Sequence, residues 1–217
     1  MAIDARQYAP ATQRNRDAIL DILHQVLPEK GTVLEVSSGT GEHAVYFAPR
    51  LQPRYWLPSD PNPVAQASIA AWREHHPTEN LLAPIALNAE DLSGLVEQQG
   101  IVSGLVEPIV AIANINMIHI SPWSACLGLL AGAGQILPPS GVLYLYGPYQ
   151  RNGVHTSDSN AVFDRGLRSQ NPQWGVRDIE AVIAAAQRQQ LDLVNMIEMP
   201  ANNLSVIFQR QNNDSES

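Results

Sequence analysis

The run Val33 to Ala44, VLEVSSGTGEHA, sets an acid, Glu35, at the end of a short apolar, β-branched stretch and then two glycines, Gly39 and Gly41, ahead of a helix-forming segment. A glycine-containing turn between a strand and a helix lets a nucleotide-like ligand lie against backbone, because no side chain stands in the way. Asp60 follows 19 residues after Gly41, at the end of the next strand-like run. There a carboxylate accepts hydrogen bonds from both hydroxyls of a ribose. A tight turn alone also accounts for a glycine pair, and Gly39, Gly41 and Ala44 satisfy the dinucleotide pattern G-x-G-x-x-A, so a nicotinamide or flavin enzyme competes for the same residues.

Two features favour S-adenosylmethionine over a dinucleotide. That ligand has no pyrophosphate to seat on a helix N-terminus, but it carries a charged amino acid end, and Glu35 stands where a carboxylate can orient an ammonium, directly or through water. The second feature is the chain's close: Leu193 to Met199 and Ser205 to Gln209 read as strands joined by only Pro200 to Leu204, which forces an antiparallel hairpin. Dinucleotide enzymes usually continue in parallel.

Methyl transfer from a sulfonium chiefly requires alignment of the acceptor and exclusion of water, with a base for a weak nucleophile. His119 is the candidate base, because NINMIHIS follows a strand expected at the centre of the sheet; a buried, hydrogen-bonded histidine is the competing reading. Asn116 is the candidate for orienting an acceptor. Tyr146, Tyr149 and His155 are expected near an acceptor pocket or as packing residues, Asn202 and Asn203 in the final turn, and Arg14 with Asn15 closing over the cofactor from the first helix. The six histidines and the single Cys126 have no metal-ligand spacing. No GxSxG elbow or phosphate-loop lysine is present.

The elements that must position these residues alternate. Thr12 is expected to cap a helix with Ile19, Leu20, Leu23, Val26 and Leu27 on its apolar face, ending at Pro28. Strands follow over Thr32 to Val36, Tyr55 to Pro58, Leu82 to Leu87, Ile109 to Ala113 and Gly141 to Tyr146. Helices are expected over Glu42 to Leu51, from Pro63, near Asp91, over Pro122 to Gly134, Asn160 to Ser169 and Asp178 to Gln189. The polar stretch Gly147 to Ser159 reads as a lid. Five such alternations imply an α/β fold with a mostly parallel sheet covered on both faces. One domain over 1–210 is expected, with a disordered tail over 211–217.

Composition narrows the partners. Of 217 residues, 21 are acidic and 13 basic, for a net charge of −8. The basic residues form no run, so DNA or large RNA is not an expected partner. No segment approaches the apolar length of a membrane span, the N-terminus does not read as a secretory signal, and the lone cysteine fits a reducing cytoplasm.

Longer phrases carry a resemblance. QYAPATQRNRDAIL, LEVSSGTGEHAVYFA, WLPSDPN, NINMIHISPW, LYLYGPY, NPQWGVRD and EMPANNL are similar, over nearly the whole chain, to the methyltransferase-like 26 family among the Rossmann-like methyltransferases. The resemblance implies a seven-stranded sheet whose last strand is antiparallel, with S-adenosylmethionine over the C-terminal ends of the first strands. It implies that Glu35, Gly39 and Gly41 hold the amino acid end, Asp60 the ribose, Asn88 and Ala89 the adenine, and that Asn114 lies near the sulfonium. Ser37 stands where the wider superfamily usually has glycine, and Asn88 where it often has aspartate. The expected acceptor is a small molecule or an exposed residue of a protein. A pseudoenzyme that binds the methyl donor or its demethylated product as a sensing module is the alternative.

Overall fold

The computed structural model describes residues 4–92, 95 and 105–212. Helix α1 (Pro10–Val26) opens on Pro10, whose fixed φ suits the first helical turn. Its N-cap is Ala9, and Thr12, expected as the cap, is instead buried inside the helix. The proline starts the helix three residues earlier than a Thr12 cap would. Leu27 turns extended ahead of Pro28, and the helix stops there.

Strand β1 (Thr32–Val36) leads through the glycine loop into α2 (Glu42–Phe47), then β2 (Tyr55–Ser59) and α3 (Pro63–His75). After the central β3 (Ile109–Ile115) come α4 (Trp123–Ile136) and β4 (Val142–Gly147). Strand β1 pairs in parallel with β2 and β3, and β3 with β4. The sequence predicts this doubly wound arrangement, and the α/β class holds.

The expected third strand is reduced. Leu81 and Ile85 bridge Trp56 and Ser59 of β2 in parallel, at the sheet's outer edge, without forming a regular strand. Pro84 lies between them and has no N–H to give to a ladder. Among the described residues the sheet therefore has six strands rather than seven. The helix expected near Asp91 and the end of the expected tail, 213–217, lie outside the described residues.

The polar stretch after β4 is built rather than loose. Tyr149–Arg151 and Val154–His155 form an antiparallel hairpin, β5 and β6, around Asn152 and Gly153. Both turn residues have positive φ, 51° and 73°, as a two-residue hairpin turn requires. Arg177–Asp178 (β7) adds a parallel third strand, flanked in the chain by α5 (Asp158–Gln170) and α6 (Ile179–Gln187). The chain ends in β8 (Leu191–Met199) and β9 (Asn203–Arg210). β9 runs antiparallel to both β8 and β4, giving the order β2-β1-β3-β4-β9-β8.

Alternation along the strands divides the core. Leu34, Ile112, Leu143 and Phe208 pack with residues of α4 and α6, while Val33, Ala111, Tyr144 and Ile207 pack with residues of α1 and α2. Each buried leucine of this kind stabilises the fold by about 1.5–3 kcal/mol. The two layers hold the C-terminal ends of β1, β3 and β4 in register, and the site is built there.

Candidate functional site

The loop after β1 turns on left-handed residues: Ser37, Gly39 and Gly41 have φ of 60°, 57° and 85°. Ser37 adopts the conformation that glycine favours, which explains why a glycine serves there elsewhere. The two glycines differ in purpose. A Cβ on Gly41 would lie 2.9 Å from Ile69 Cα of α3, whereas one on Gly39 would meet nothing within 4 Å. Gly41 lets α3 approach; Gly39 faces open space.

Asp60 closes that space from β2. It is buried, and its Oδ2 accepts from the Gly39 N–H at 3.0 Å while Oδ1 accepts from the Asn62 N–H at 2.9 Å. A cavity of about 340 Å³ is lined by Ser37, Gly39, Asp60, Asn88, Ala89 and Met117, among others, and is bounded by Pro122 and Ala125 at the start of α4. Asn88 Oδ1 already accepts from the Glu90 N–H at 3.0 Å, leaving one lone pair.

Glu35 and Asn114 do not line this cavity. Glu35 is buried under it and accepts from Trp56 Nε1 at 3.0 Å; burial pushes its carboxyl up to about 7, against the downward pull of Trp56 and Ser38. Asn114 donates from Nδ2 to the Val36 carbonyl at 2.9 Å, which ties β3 to β1, and its Oδ1 has no partner among the described residues.

A second cavity, about 650 Å³, adjoins the first through Ile120, which lines both. Arg14 and Asn15 of α1 reach it, as do Asn116, Tyr146, Asn202 and Asn203. Four separate stretches of sequence thus meet, and Tyr146 hydrogen-bonds the side chains of Asn15 and Asn203. Arg14 and Asn15 face this cavity rather than the one above Asp60. Sequence reasoning missed Ile120, Asn160 and Phe163, the last two on the first turns of α5. No local pattern marks them, because only the tertiary fold brings α5 alongside the β8–β9 turn.

His119 lines neither cavity, which favours its competing reading as a buried histidine. It is fully buried at the end of a short 3-10 turn, stacked edge-on against Tyr149 with ring centroids 5.0 Å apart, and its Nδ1 faces the Arg177 N–H at 3.4 Å. Burial, reinforced by the Arg177 charge, pulls it down to about 3. A group so placed stays neutral at neutral pH. Tyr149 is likewise core, and His155 pairs with Asp164 at 3.5 Å, away from the second cavity. Among the described residues no cluster of His, Cys, Asp and Glu is fit to hold a metal, and no helix is long and apolar enough to cross a membrane.

The family described as "Protein of unknown function (DUF938)" matches residues 6–210. The chain belongs to that family. The match shows DUF938 itself; a place in the methyltransferase-like 26 family goes beyond it. Among solved structures, the chain is similar to an O-methyltransferase family protein from Burkholderia thailandensis, at 12% identity and a TM-score of 0.75 over 94% of this chain and 57% of that one. It is similar to an O-methyltransferase family 2 protein from Planctomyces limnophilus, in complex with apigenin, at 16% identity and TM-score 0.73, covering 92% and 57%. The S-adenosylmethionine-dependent methyltransferase SibL follows at 15% identity and TM-score 0.70, covering 93% and 56%. These TM-scores show a shared Rossmann-like fold of the kind those methyltransferases have, and this chain spans little more than half the length of those proteins.

Proposed function

We propose that the chain is an S-adenosylmethionine-dependent methyltransferase acting on a small molecule or an exposed protein residue. One observation carries the reading. The Asp60 carboxylate, buried and fixed by the Gly39 N–H, stands at the wall of a cavity whose floor at Gly39 no side chain fills. That donor set fits an adenosyl group: an acid for the ribose, open backbone beneath it, and Asn88 and Ala89 for the adenine. When bound, the cofactor supplies an electrophilic methyl group.

The remaining work falls to the chain's own residues. Asp60 accepts the ribose hydroxyls and holds the loop. Glu35, through its hydrogen bond to Trp56, sets the β1 end, and a nearby cation such as an ammonium would favour its ionised form. Asn114, with its free Oδ1, belongs to the same layer. Asn116 and Tyr146 orient an acceptor in the second cavity. His119, fully buried, acts as a positioning residue beneath the turn that carries Asn116. A net charge of −8 supports an enzyme that avoids DNA, large RNA and anionic membrane surfaces.

The burial of His119 also favours a second reading, a pseudoenzyme that binds the donor or its product. Calorimetric titration with S-adenosylmethionine, S-adenosylhomocysteine and NAD tests the site; binding of NAD alone would overturn both readings. Release of S-adenosylhomocysteine from metabolite pools separates enzyme from pseudoenzyme.

A further inference from the structure

The second cavity has a chemical character of its own. Arg14 is its one charged lining residue, and no Asp or Glu lies on its wall. Several other arginines are engaged: Arg6 pairs with Asp4, Arg168 with Asp164, Arg54 donates to the Pro28 carbonyl, and Arg177 to the Ile118 carbonyl. Arg151, Arg165 and Arg188 have no ion pair or side-chain hydrogen bond among the described residues, but none of them lines this cavity. Arg14, among the described residues, makes neither an ion pair nor a side-chain hydrogen bond.

Three further features agree. Ser159, Asn160 and Phe163 on the wall belong to the first turns of α5, a 13-residue helix whose positive end therefore borders the cavity; Asp158 in the same turn does not line it. Ile120 and Phe163 are exposed apolar side chains, at 45% and 43%, and offer a flat hydrophobic surface. The amide nitrogen of Asn160 is spent on Thr156 Oγ1 and the Asn202 carbonyl, and that of Asn203 on the Pro200 carbonyl. The oxygen of Asn160 is left to accept from a ligand hydroxyl or amine.

Backbone strain gathers here as well. Asn116, Ala201 and Asn202, all on this wall, have φ of 65°, 58° and 58°. Left-handed backbone at a residue other than glycine concentrates where surrounding structure holds a binding surface in place.

We propose that this cavity binds a small, flat carboxylic acid bearing a hydroxyl or amino group, with Arg14 as counter-charge to the carboxylate and Phe163 and Ile120 against the apolar body. The proposal rests on the methyl-transfer reading only in making this molecule the acceptor. The binding claim stands on the cavity itself.

The test is calorimetry with 4-hydroxybenzoate and its neutral counterpart 4-hydroxybenzamide, on the full chain with saturating S-adenosylhomocysteine and again without it. The acid should bind roughly tenfold more tightly than the amide. Arg14→Gln should erase that preference and Arg14→Lys should restore part of it; Arg14 is exposed, and thermal melting checks that each variant folds. Equal binding of acid and amide, a preference that survives in Arg14→Gln, or no binding of the acid at about 10 mM would overturn the proposal. Titration with S-adenosylhomocysteine alone keeps the two ideas apart. Its failure, with acid discrimination intact, removes the methyl-donor reading and leaves the carboxylate site.

Discussion

The cavity above Asp60 and the cavity beside Arg14 share Ile120 and differ in almost everything else. The first joins the β1 loop and the end of β2, linked by one hydrogen bond from Gly39 to Asp60, to the 88–90 segment and to the end of β3 with the turn that follows it. The second draws on α1, the ends of β3 and β4, the start of α5 and the β8–β9 turn. The part of it built on the strand-turn-helix unit has little freedom, since any nucleotide there needs the same bare backbone and the same acid. A site made where distant segments converge is free to vary, and such regions set specificity.

The sharpest way to break the comparison lies within the first cavity. Gly41→Ala combines left-handed strain with a contact of 2.9 Å to the Ile69 backbone, and urea denaturation should show a loss of about 2–5 kcal/mol. Gly39→Ala meets no atom within 4 Å, so its stability cost is the strain alone, about 1–2 kcal/mol. Its methyl group enters the ligand's space, and affinity for S-adenosylhomocysteine should fall. If both variants lose stability equally and keep their affinity, Gly39 faces no ligand.

Next in size is Asp60→Ala, which should weaken S-adenosylhomocysteine by about 1–3 kcal/mol in calorimetry while 4-hydroxybenzoate binding stays unchanged. Loss of both affinities together would mean that the two cavities are one cooperative unit.

The contrast also decides what could be read from sequence. The loop, Asp60, the central strands and the closing hairpin were legible because each follows from local rules: β-branched runs, glycine turns, a link too short for a crossover. Asn152-Gly153 was equally local, and as a hairpin turn it was the signal that the polar stretch before Ser159 is a small sheet and not a lid. The third strand failed at Pro84, whose missing N–H outweighs the apolar run around it. The two readings of His119 could not be separated from sequence, because position after a central strand does not reveal depth: Tyr149 and Arg177, distant in sequence, enclose it. Asn160 and Phe163 had no signal, since an exposed helix face and a cavity wall have the same composition.

The supports of the two cavities titrate in opposite senses. Glu35, beneath the first, is raised by burial to about 7, so the folded state keeps a proton that the unfolded chain has lost; this stabilises the fold below about pH 4.5 and is lost as pH rises to 7. His43 holds Asn15 of the second cavity at 2.9 Å, and burial with the Arg16 charge lowers it to about 4. His119 is lowered to about 3. Both histidines stabilise the neutral fold above about 6.5 and lose that contribution as pH falls. Between pH 5 and 6 unfolding takes up two protons at the histidines and releases one at Glu35, so stability should fall by about 1.4 kcal/mol per pH unit toward acid. Glu35→Gln should roughly double that slope and raise stability above pH 7, as urea titrations at several pH values would record. An unchanged slope would mean that Glu35 is ionised in the fold.

The smallest expected effect bears on the second cavity alone. Ala201 has φ 58° and ψ 37°, a left-handed conformation that glycine adopts freely. Ala201→Gly relieves strain of about 1–2 kcal/mol, offset in part by the greater entropy glycine gives the unfolded chain, for a net gain near 0.5 kcal/mol. The same change loosens the turn that holds Asn202 and Asn203 in the cavity wall, so 4-hydroxybenzoate should bind a few-fold more weakly while S-adenosylhomocysteine is unaffected. A fold that becomes more stable as its acceptor site weakens would identify the strain at Ala201 as serving binding. Greater stability with undiminished binding would make the left-handed alanine an accident of the turn.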